Sequence, residues 1–419
     1  MEKLVIEGGR PLNGKIRVSG AKNACLPILA ASILAEGKYT ISNIPSLVDI
    51  RTMLSLLGEV GVETDRDGEV VQLNTVADND AFTAPYELVK TMRASVLTLG
   101  PLLAKKGRAK VSLPGGCAIG ERPVDQHLKA LRLMGADIEV EHGYIDASCS
   151  RLKGAEITFD MVTVTGTENI MMAAALAEGK TVLYNAAQEP EVVDLAKFLK
   201  KMGAVISGEG SRTIVIEGVD RLESADYNVM ADRIEAGTYL CAAAGAGGHL
   251  ILENAPVYAM KAILDKLGET GLELKILDDS TIDIRSEKRL LGIDATTHPY
   301  PGFPTDMQAQ FMAVMVKSRG ISVITETIFE NRFMHVSELK RMGADIRLMD
   351  KSAVIKGVKK LSAAPVMASD LRASASLVIA GLMAEGTTEV HRVYHLDRGY
   401  EKFDIKLAAA GAKIERVKE

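Results

Sequence analysis

Two series of glycines recur in step along this chain, and their agreement limits the folds it can adopt. Gly61, Gly135, Gly203, Gly271, Gly343 and Gly411 each stand where a helical pattern gives way to a strand pattern, as in Met134-Gly135-Ala136-Asp137 and Met342-Gly343-Ala344-Asp345. Gly37, Gly107, Gly179, Gly248, Gly320 and Gly386 each close an apolar stretch. Within each series the spacing stays between 66 and 74 residues. Both series fit helix C-caps, where a left-handed residue is needed. The chain therefore reads as six copies of one unit: apolar helix, strand, amphipathic helix, strand, with an extra strand or two between. In the first copy the pattern predicts helix over Ala24–Ala35, strand over Tyr39–Asn43, helix over Asp49–Leu57 and strand over Val70–Leu73. A repeat of this length exceeds the roughly 20–50 residues of common solenoids. Six such units predict two globular domains of three, each wrapping sheets around buried helices.

The first helix of each unit is apolar nearly all round, as in Ile170-Met171-Met172-Ala173-Ala174-Ala175-Leu176-Ala177, so it should be buried on every side. The second is more charged, as in Val192–Lys201, and should partly cover the outside. Fourteen or fifteen residues before the closing glycines stand Lys22, Arg93, Thr165, Arg233, Asp306 and Arg372. Four of these six equivalent positions are basic. If the helices run the same way within each domain, their N-termini converge on the face between domains. Helix N-termini already carry partial positive charge and free N–H groups, so cations there point to a multiply charged anion. The bland alternative is solvated Lys and Arg at helix ends. Asp306 breaks the pattern. In Thr305-Asp306-Met307-Gln308 it has capping-box spacing, with Thr305 as N-cap, and an acid there stabilises the helix. A carboxylate beside an anion site could equally accept a proton from a hydroxyl. Both readings stay open.

A thiol supplies the other chemical signal. Cys117 lies in Leu113-Pro114-Gly115-Gly116-Cys117-Ala118-Ile119-Gly120-Glu121-Arg122-Pro123, a glycine-rich loop with few apolar neighbours for the sulfur. Pro123 is suited to open a helix through Val124–Leu128. That helix start and Arg122 would lower the thiol pKa and make it reactive, against the alternative of a buried core cysteine. Cys25 and Cys241 lie in apolar helical stretches and read as packing residues; Cys149 reads as strand.

Composition narrows the classes of function. Among 419 residues there are 50 basic and 55 acidic side chains, no Trp and 4% aromatics, so no basic or stacking surface for nucleic acid is apparent. The N-terminus lacks the apolar run of a signal peptide, and the longest apolar runs are too short to cross a bilayer. Four separated cysteines form no zinc motif and fit a reducing, cytoplasmic setting. Neither a metal nor a cofactor is expected. No P-loop, His-Glu-x-x-His or Gly-x-Ser-x-Gly occurs, and Gly245-Ala246-Gly247-Gly248-His249 lacks dinucleotide-loop spacing.

Several blocks together resemble one family, the UDP-N-acetylglucosamine 1-carboxyvinyltransferases of the enolpyruvyl transferase group. They are Ser19–Ala24, Lys90–Ser95, Pro114–Asp125, Pro304–Gln310, Phe329–His335, Asp370–Ala373 and His395–Tyr400, and they span nearly the whole chain. The cysteine loop distinguishes this family from the shikimate-pathway sister enzyme. The resemblance implies a two-domain inside-out α/β barrel of six repeats, with residues 22–230 as one domain and 1–21 plus 231–419 as the other. It implies transfer of enolpyruvyl from phosphoenolpyruvate to the 3′-hydroxyl of UDP-N-acetylglucosamine, with release of phosphate, at the start of peptidoglycan synthesis. Lys22, Arg122 and Arg398 would hold phosphoenolpyruvate, with Arg332 and Arg372 lining the same pocket, and Asn23 would steady the tetrahedral intermediate. Arg93, Arg122, Pro123, Val124, Asp125, Gln126, Thr163, Val164, Thr165, Asp306 and Ile328 would contact the sugar nucleotide. Cys117 would protonate the methylene carbon, can form an adduct with phosphoenolpyruvate, and would be alkylated by fosfomycin. Asp306 would be the base for the 3′-hydroxyl.

Departures from the family pattern touch the nucleotide rather than the chemistry. Val48 and Met161 stand where some members have basic residues, and Thr165 where glycine is common. Two rival functions remain at this stage: a shikimate-type enolpyruvyl transferase, and a non-catalytic six-unit ring or clamp. A clamp on DNA would need basic inner helices, and it has no use for Cys117.

Overall fold

A computed structural model describes residues 2–76, 81–90, 92–113 and 124–419. Among these residues the strands form six four-stranded sheets of one design. In one of them Lys180–Tyr184 pairs in parallel with Glu156–Thr158 and antiparallel with Thr213–Glu217, which in turn pairs antiparallel with Val205–Ser207. Two parallel strands cannot be joined by a hairpin. The helix Val164–Ala174 makes the crossover between them, and Pro190–Lys201 links the central strand to the edge strand. Alternation sets the faces: Ile214 and Ile216 are buried, whereas Thr213 and Glu217 face out.

The chain divides into two compact units, a terminal one made of the residues up to Ser19 with Ala231–Glu419, and an inserted one within Gly20–Met230. Each closes on itself through distant pairing. In the inserted unit, Tyr227–Asn228 at its end pairs with Gly37–Ser42 near its start. In the terminal unit, Glu2–Glu7 lies between Thr387–His391 and Lys413–Lys418, while Leu12–Arg17 pairs with Gly248–Glu253. The N-terminal strands thus complete sheets whose other strands come more than two hundred residues later.

The apolar helices are interior, as their all-round patterning requires. Gln308–Val316 is buried at every position, and Leu371–Met383 from Arg372 onward. In the terminal unit these two pack on each other and on Arg233–Ala246. In the inserted unit Leu99–Lys106 packs on Val164–Ala174. By contrast Lys261–Glu269 buries only Ile263 and Leu267. Each fully buried Leu, Ile or Phe on such a helix is worth about 1.5–3 kcal/mol relative to exposure.

All twelve repeat glycines have positive φ. In the first series each follows directly on a helix C-cap, such as Met134 after Asp125–Leu133 and Met342 after Val336–Arg341. The second series needs a correction. Of its members only Gly107 caps a helix itself, with φ 67°. Lys22–Ala31 ends four residues before the expected Ala35 and passes into the tight turn Ser32–Leu34, so Gly37 marks the entry to strand Gly37–Ser42. Two further boundaries shift: the helix expected from Pro123 begins, within the described residues, at Asp125, and Cys149 lies just past strand Tyr144–Ser148.

Three other glycines share a different duty. A Cβ on Gly218 would lie 1.8 Å from the Ala177 carbonyl oxygen; at Gly357 it would lie 1.9 Å from that of Ser318, and at Gly8 2.2 Å from that of Ala384. Each lets the end of a sheet strand cross the end of an interior helix. Gly218→Ala is therefore expected to lower unfolding free energy by about 1–3 kcal/mol in denaturant titration. An unchanged midpoint would mean that the helix end can retreat at no cost.

Candidate functional site

Four of the six singled-out residues lie in the first turn of an α-helix, and the other two in a 3-10 turn just ahead of one. Lys22 and Arg233 are first residues, and Thr165 and Arg372 are second. Arg93 opens the 3-10 turn Arg93–Thr98, and Asp306 sits in the 3-10 turn Thr305–Met307 ahead of its helix. The cations are locally offset. Asp232 caps its helix by accepting from the Ile234 and Glu235 N–H groups, and Asp370 accepts from those of Arg372 and Ala373.

In the terminal unit the helix starts that carry Asp306 and Arg372 meet at one carboxylate, which Arg332 also bonds. Arg332 Nη2 donates to Asp306 Oδ1 at 2.7 Å, and Arg372 Nη2 donates to Oδ2 at 2.8 Å. Burial pushes the Asp306 carboxyl up, but the two guanidiniums outweigh it and hold it well below the usual carboxylate range. Arg372 Nη1 donates to the Tyr400 hydroxyl at 3.0 Å, and Gln310 Nε2 reaches the same oxygen at 3.1 Å. The Tyr400 and Thr238 hydroxyls lie 2.9 Å apart. Three interior helices thus contribute Thr238, Gln310 and Arg372 to one buried cluster.

The capping box at Thr305 does not form. The Thr305 hydroxyl donates to Glu326 Oε2 at 2.8 Å and accepts from Arg332 Nη1 at 3.0 Å, while Pro304 occupies the N-cap. A cap would need the Thr305 oxygen to accept from a backbone N–H; instead it accepts from a charged guanidinium while its proton is held by a carboxylate. The other oxygen of Glu326 accepts from the Ile328 N–H at 2.8 Å and the Thr297 hydroxyl at 2.9 Å, placing the Ile328 backbone near Thr305. Arg398 is half-buried at the end of the turn Val393–Arg398, where its charge, after burial, helps lower the His395 pKa.

In the inserted unit Lys22 Nζ lies 3.1 Å from Asp49 Oδ2, with only 12% and 6% of their side chains exposed. Asn23 beside it is exposed. Thr163 caps Val164–Ala174 by accepting from the Gly166 N–H at 3.2 Å, with Thr165 in the first turn. The Gln126 amide pairs in both directions with the Met161 backbone, at 3.2 and 3.3 Å, and so joins the start of Asp125–Leu133, behind Val124, to the approach to Thr163. Val48 opens the helix Val48–Glu59, and Met161 is 65% exposed. Cys117, Arg122 and Pro123 lie outside the described residues.

Beneath the Thr165 turn His127 is buried, with Nδ1 2.9 Å from Asn169 Nδ2 and Nε2 3.4 Å from Thr165 Oγ1. Asn169 Oδ1 accepts from the Gly100 N–H at 2.7 Å, which fixes the amide so that its NH₂ faces the ring. Nδ1 is therefore an acceptor and the ring is neutral. Burial, reinforced by Arg93, lowers the His127 pKa to about 4.

Of the residues that the sequence singles out, the structure joins Asp306, Arg332 and Arg372. The sequence reading passed over Asp49, His127, Asn169, Thr238, Gln310 and Glu326, and gave Tyr400 no role. Three of these, Asn169, Thr238 and Gln310, share a legible signal: a polar side chain near the start of an otherwise apolar helix. Among the described residues no cluster of His, Cys, Asp and Glu could hold a metal ion, and no helix is long and apolar enough to cross a membrane.

Comparison with known proteins follows the same lines. The family profile of EPSP synthase (3-phosphoshikimate 1-carboxyvinyltransferase) matches residues 6–407. The UDP-N-acetylglucosamine 1-carboxyvinyltransferase of Myxococcus xanthus is 56% identical over 420 aligned positions, covering 100% of both chains. That of Nitratidesulfovibrio vulgaris is 58% identical over 419, again covering 100% of both. Among solved structures, the enolpyruvyl transferase NikO from Streptomyces tendae superposes with a TM-score of 0.89 at 25% identity, covering 99% of this chain and 98% of its own. EPSP synthase from Acinetobacter baumannii gives 0.79 at 21% identity, covering 100% of both, and speaks to the fold alone.

The buried neutral histidine makes a pH prediction. Between pH 6.5 and about 4 the unfolded chain takes up a proton on His127 that the folded chain refuses, so this residue lowers stability as pH falls through that window. His127→Gln cannot titrate. Relative to that variant, the wild type is expected to lose about 3 kcal/mol of unfolding free energy from pH 7 to 4. Parallel pH curves for the two proteins would refute it.

Proposed function

This chain belongs to the enolpyruvyl transferases, and within them to the UDP-N-acetylglucosamine 1-carboxyvinyltransferases; from that premise we propose that it moves the enolpyruvyl group of phosphoenolpyruvate to the 3′-hydroxyl of UDP-N-acetylglucosamine. Phosphate leaves, and the product commits the sugar nucleotide to peptidoglycan synthesis in the cytoplasm. The observation that carries this reading is end-to-end identity of 56–58% to relatives bearing that name. Family membership also sets aside the non-catalytic ring.

The reaction is an addition followed by an elimination. The 3′-oxygen bonds to C2 of phosphoenolpyruvate while the double-bond electrons take a proton at C3. A proton then leaves C3 and the C2–O bond to phosphate breaks. Positive character grows at C2 in the first step, so a placed acid and base both help. Cys117 is the proposed acid toward C3, and Asp306 the proposed base toward the hydroxyl. Lys22, Arg122, Arg332, Arg372 and Arg398 would balance the phosphoenolpyruvate anion, with Asn23 at the tetrahedral intermediate. Arg93, Arg122, Pro123, Val124, Asp125, Gln126, the Thr163–Thr165 helix start, Asp306 and Ile328 would take the sugar nucleotide.

The Asp306 geometry fits a base that is ionised but restrained. A carboxylate clamped by two guanidiniums is a poor proton acceptor. Each Nη2 can serve Asp306 or a substrate anion, so an anion that draws off either arginine raises the basicity of the carboxylate beside it. Substrate binding and base activation are thereby coupled through the same two side chains.

The deciding assay mixes protein, phosphoenolpyruvate and UDP-N-acetylglucosamine and follows phosphate. Phosphate release is expected with this pair; product formed from shikimate 3-phosphate instead would select the sister activity. Cys117→Ser and fosfomycin pretreatment should each remove most turnover. Full activity of the serine variant would take Cys117 out of the mechanism. Asp306→Asn is expected to lower kcat by about 10²–10⁴-fold, and a smaller loss would leave Asp306 as a binding group only.

A further inference from the structure

Both hydroxyl protons in the cluster behind Arg372 can be assigned. The Thr238 hydroxyl lies 2.7 Å from the Ile234 carbonyl, one turn back in its helix, and a carbonyl can only accept. Thr238 therefore spends its proton there and keeps its lone pairs for others. Arg372 Nη1 at 3.0 Å can only donate, so the Tyr400 oxygen accepts from it, while the Gln310 amide gives one proton to the Asp306 carbonyl at 2.8 Å and presents the other to the Tyr400 and Thr238 oxygens, each 3.1 Å away. The remaining acceptor within reach of the Tyr400 O–H is Thr238 Oγ1 at 2.9 Å. The chain of donation thus runs one way: from Arg372 to Tyr400 to Thr238 to the Ile234 carbonyl. All of these side chains are buried, with Arg372 5%, Tyr400 1%, and Thr238 and Gln310 0% exposed.

We infer that Tyr400 is a positioning residue for phosphoenolpyruvate: its hydroxyl, polarised by Thr238, holds the Nη1 edge of Arg372 so that Nη2 stays turned to Asp306 and the substrate anion. The inference rests on the enolpyruvyl-transfer reading above. A guanidinium is planar, so fixing one Nη fixes the plane and direction of the other. The Arg372 Nη2 donor is already aligned on Asp306 Oδ2, 2.8 Å away. Tyr400 is 1% exposed, so in this reading it acts through Arg372 rather than on the substrate. Thr238 acts one step further back, by accepting the tyrosine proton that would otherwise face the arginine.

Two variants remove the device without removing the arginine. Tyr400→Phe keeps the ring that lies 5.4 Å beneath the guanidinium and deletes only the hydroxyl. Thr238→Val keeps the shape and deletes the acceptor for the tyrosine proton. Steady-state kinetics with both substrates, on the full chain, should show KM for phosphoenolpyruvate raised about tenfold in Tyr400→Phe, the scale of one hydrogen bond to a charged group. KM for UDP-N-acetylglucosamine should move less than twofold. Thr238→Val should reproduce the phosphoenolpyruvate effect, Thr238→Ser should restore it, and the double variant should be no worse than Tyr400→Phe alone. An unchanged phosphoenolpyruvate KM in Tyr400→Phe, or equal changes in both KM values, would overturn the inference while wild-type turnover leaves the enolpyruvyl reading intact. Additive losses in the double variant would likewise overturn it. A wild-type protein that turns over neither substrate would sink the enolpyruvyl reading itself, and the inference with it. If Thr238→Val does not fold, the Tyr400→Phe arm decides alone.

Discussion

A helix buried on every side has only its ends for polar chemistry, and this constraint organises the molecule. Its flanks are committed to Leu, Ile, Met and Ala contacts, so charged groups gather in the first turn, where four N–H groups lack helical partners. Cations placed there oppose the helix dipole at a cost of about 0.3–1 kcal/mol each. The fold offsets part of that cost with the Asp232 and Asp370 caps and with the Lys22–Asp49 pair. Under the proposed function, anion binding supplies the reason for keeping cations at these positions.

The Asp306 cluster makes the same point more sharply. Removing two arginines and a carboxylate from water costs several kcal/mol per ion, and apolar side chains of equal volume would often hold the fold as well. Arg332 and Arg372 are each only 5% exposed and share the Asp306 carboxylate, with Glu326 behind Thr305 as a further acid on the Arg332 side. Under the proposed function the two arginines are retained because a substrate anion can share them with Asp306.

The repeat was legible because it is backbone chemistry. Positive φ after a helix end demands glycine regardless of the neighbours, so Gly61 and its five counterparts could be placed from spacing. Helix identity was legible for a related reason, since a helix with apolar side chains on every face is stable only when every face is covered. Boundaries were not, because Ser32–Leu34 tightens into a different turn while remaining just as apolar. Thr305 shows why local motifs mislead: its partner Glu326 lies on another element, and no spacing rule reaches that far. His127 was lost for the same reason. Its neutrality depends on Gly100 fixing Asn169, a contact between residues 69 positions apart.

Six equivalent helix starts need not stay equivalent in role. Arg233, Asp306 and Arg372 occupy corresponding positions in the terminal unit, yet the middle one has the opposite sign. Had it been basic, Arg332 and Arg372 would face a third cation at close range and repel it. As an acid it orients both arginines and supplies a lone pair whose availability depends on how strongly they are drawn elsewhere. Under the proposed function, a single reversal of charge within a repeated scaffold thereby lets one corner both hold an anion and accept a proton. Neither task required a new element, only a different side chain at a position the fold had already made polar.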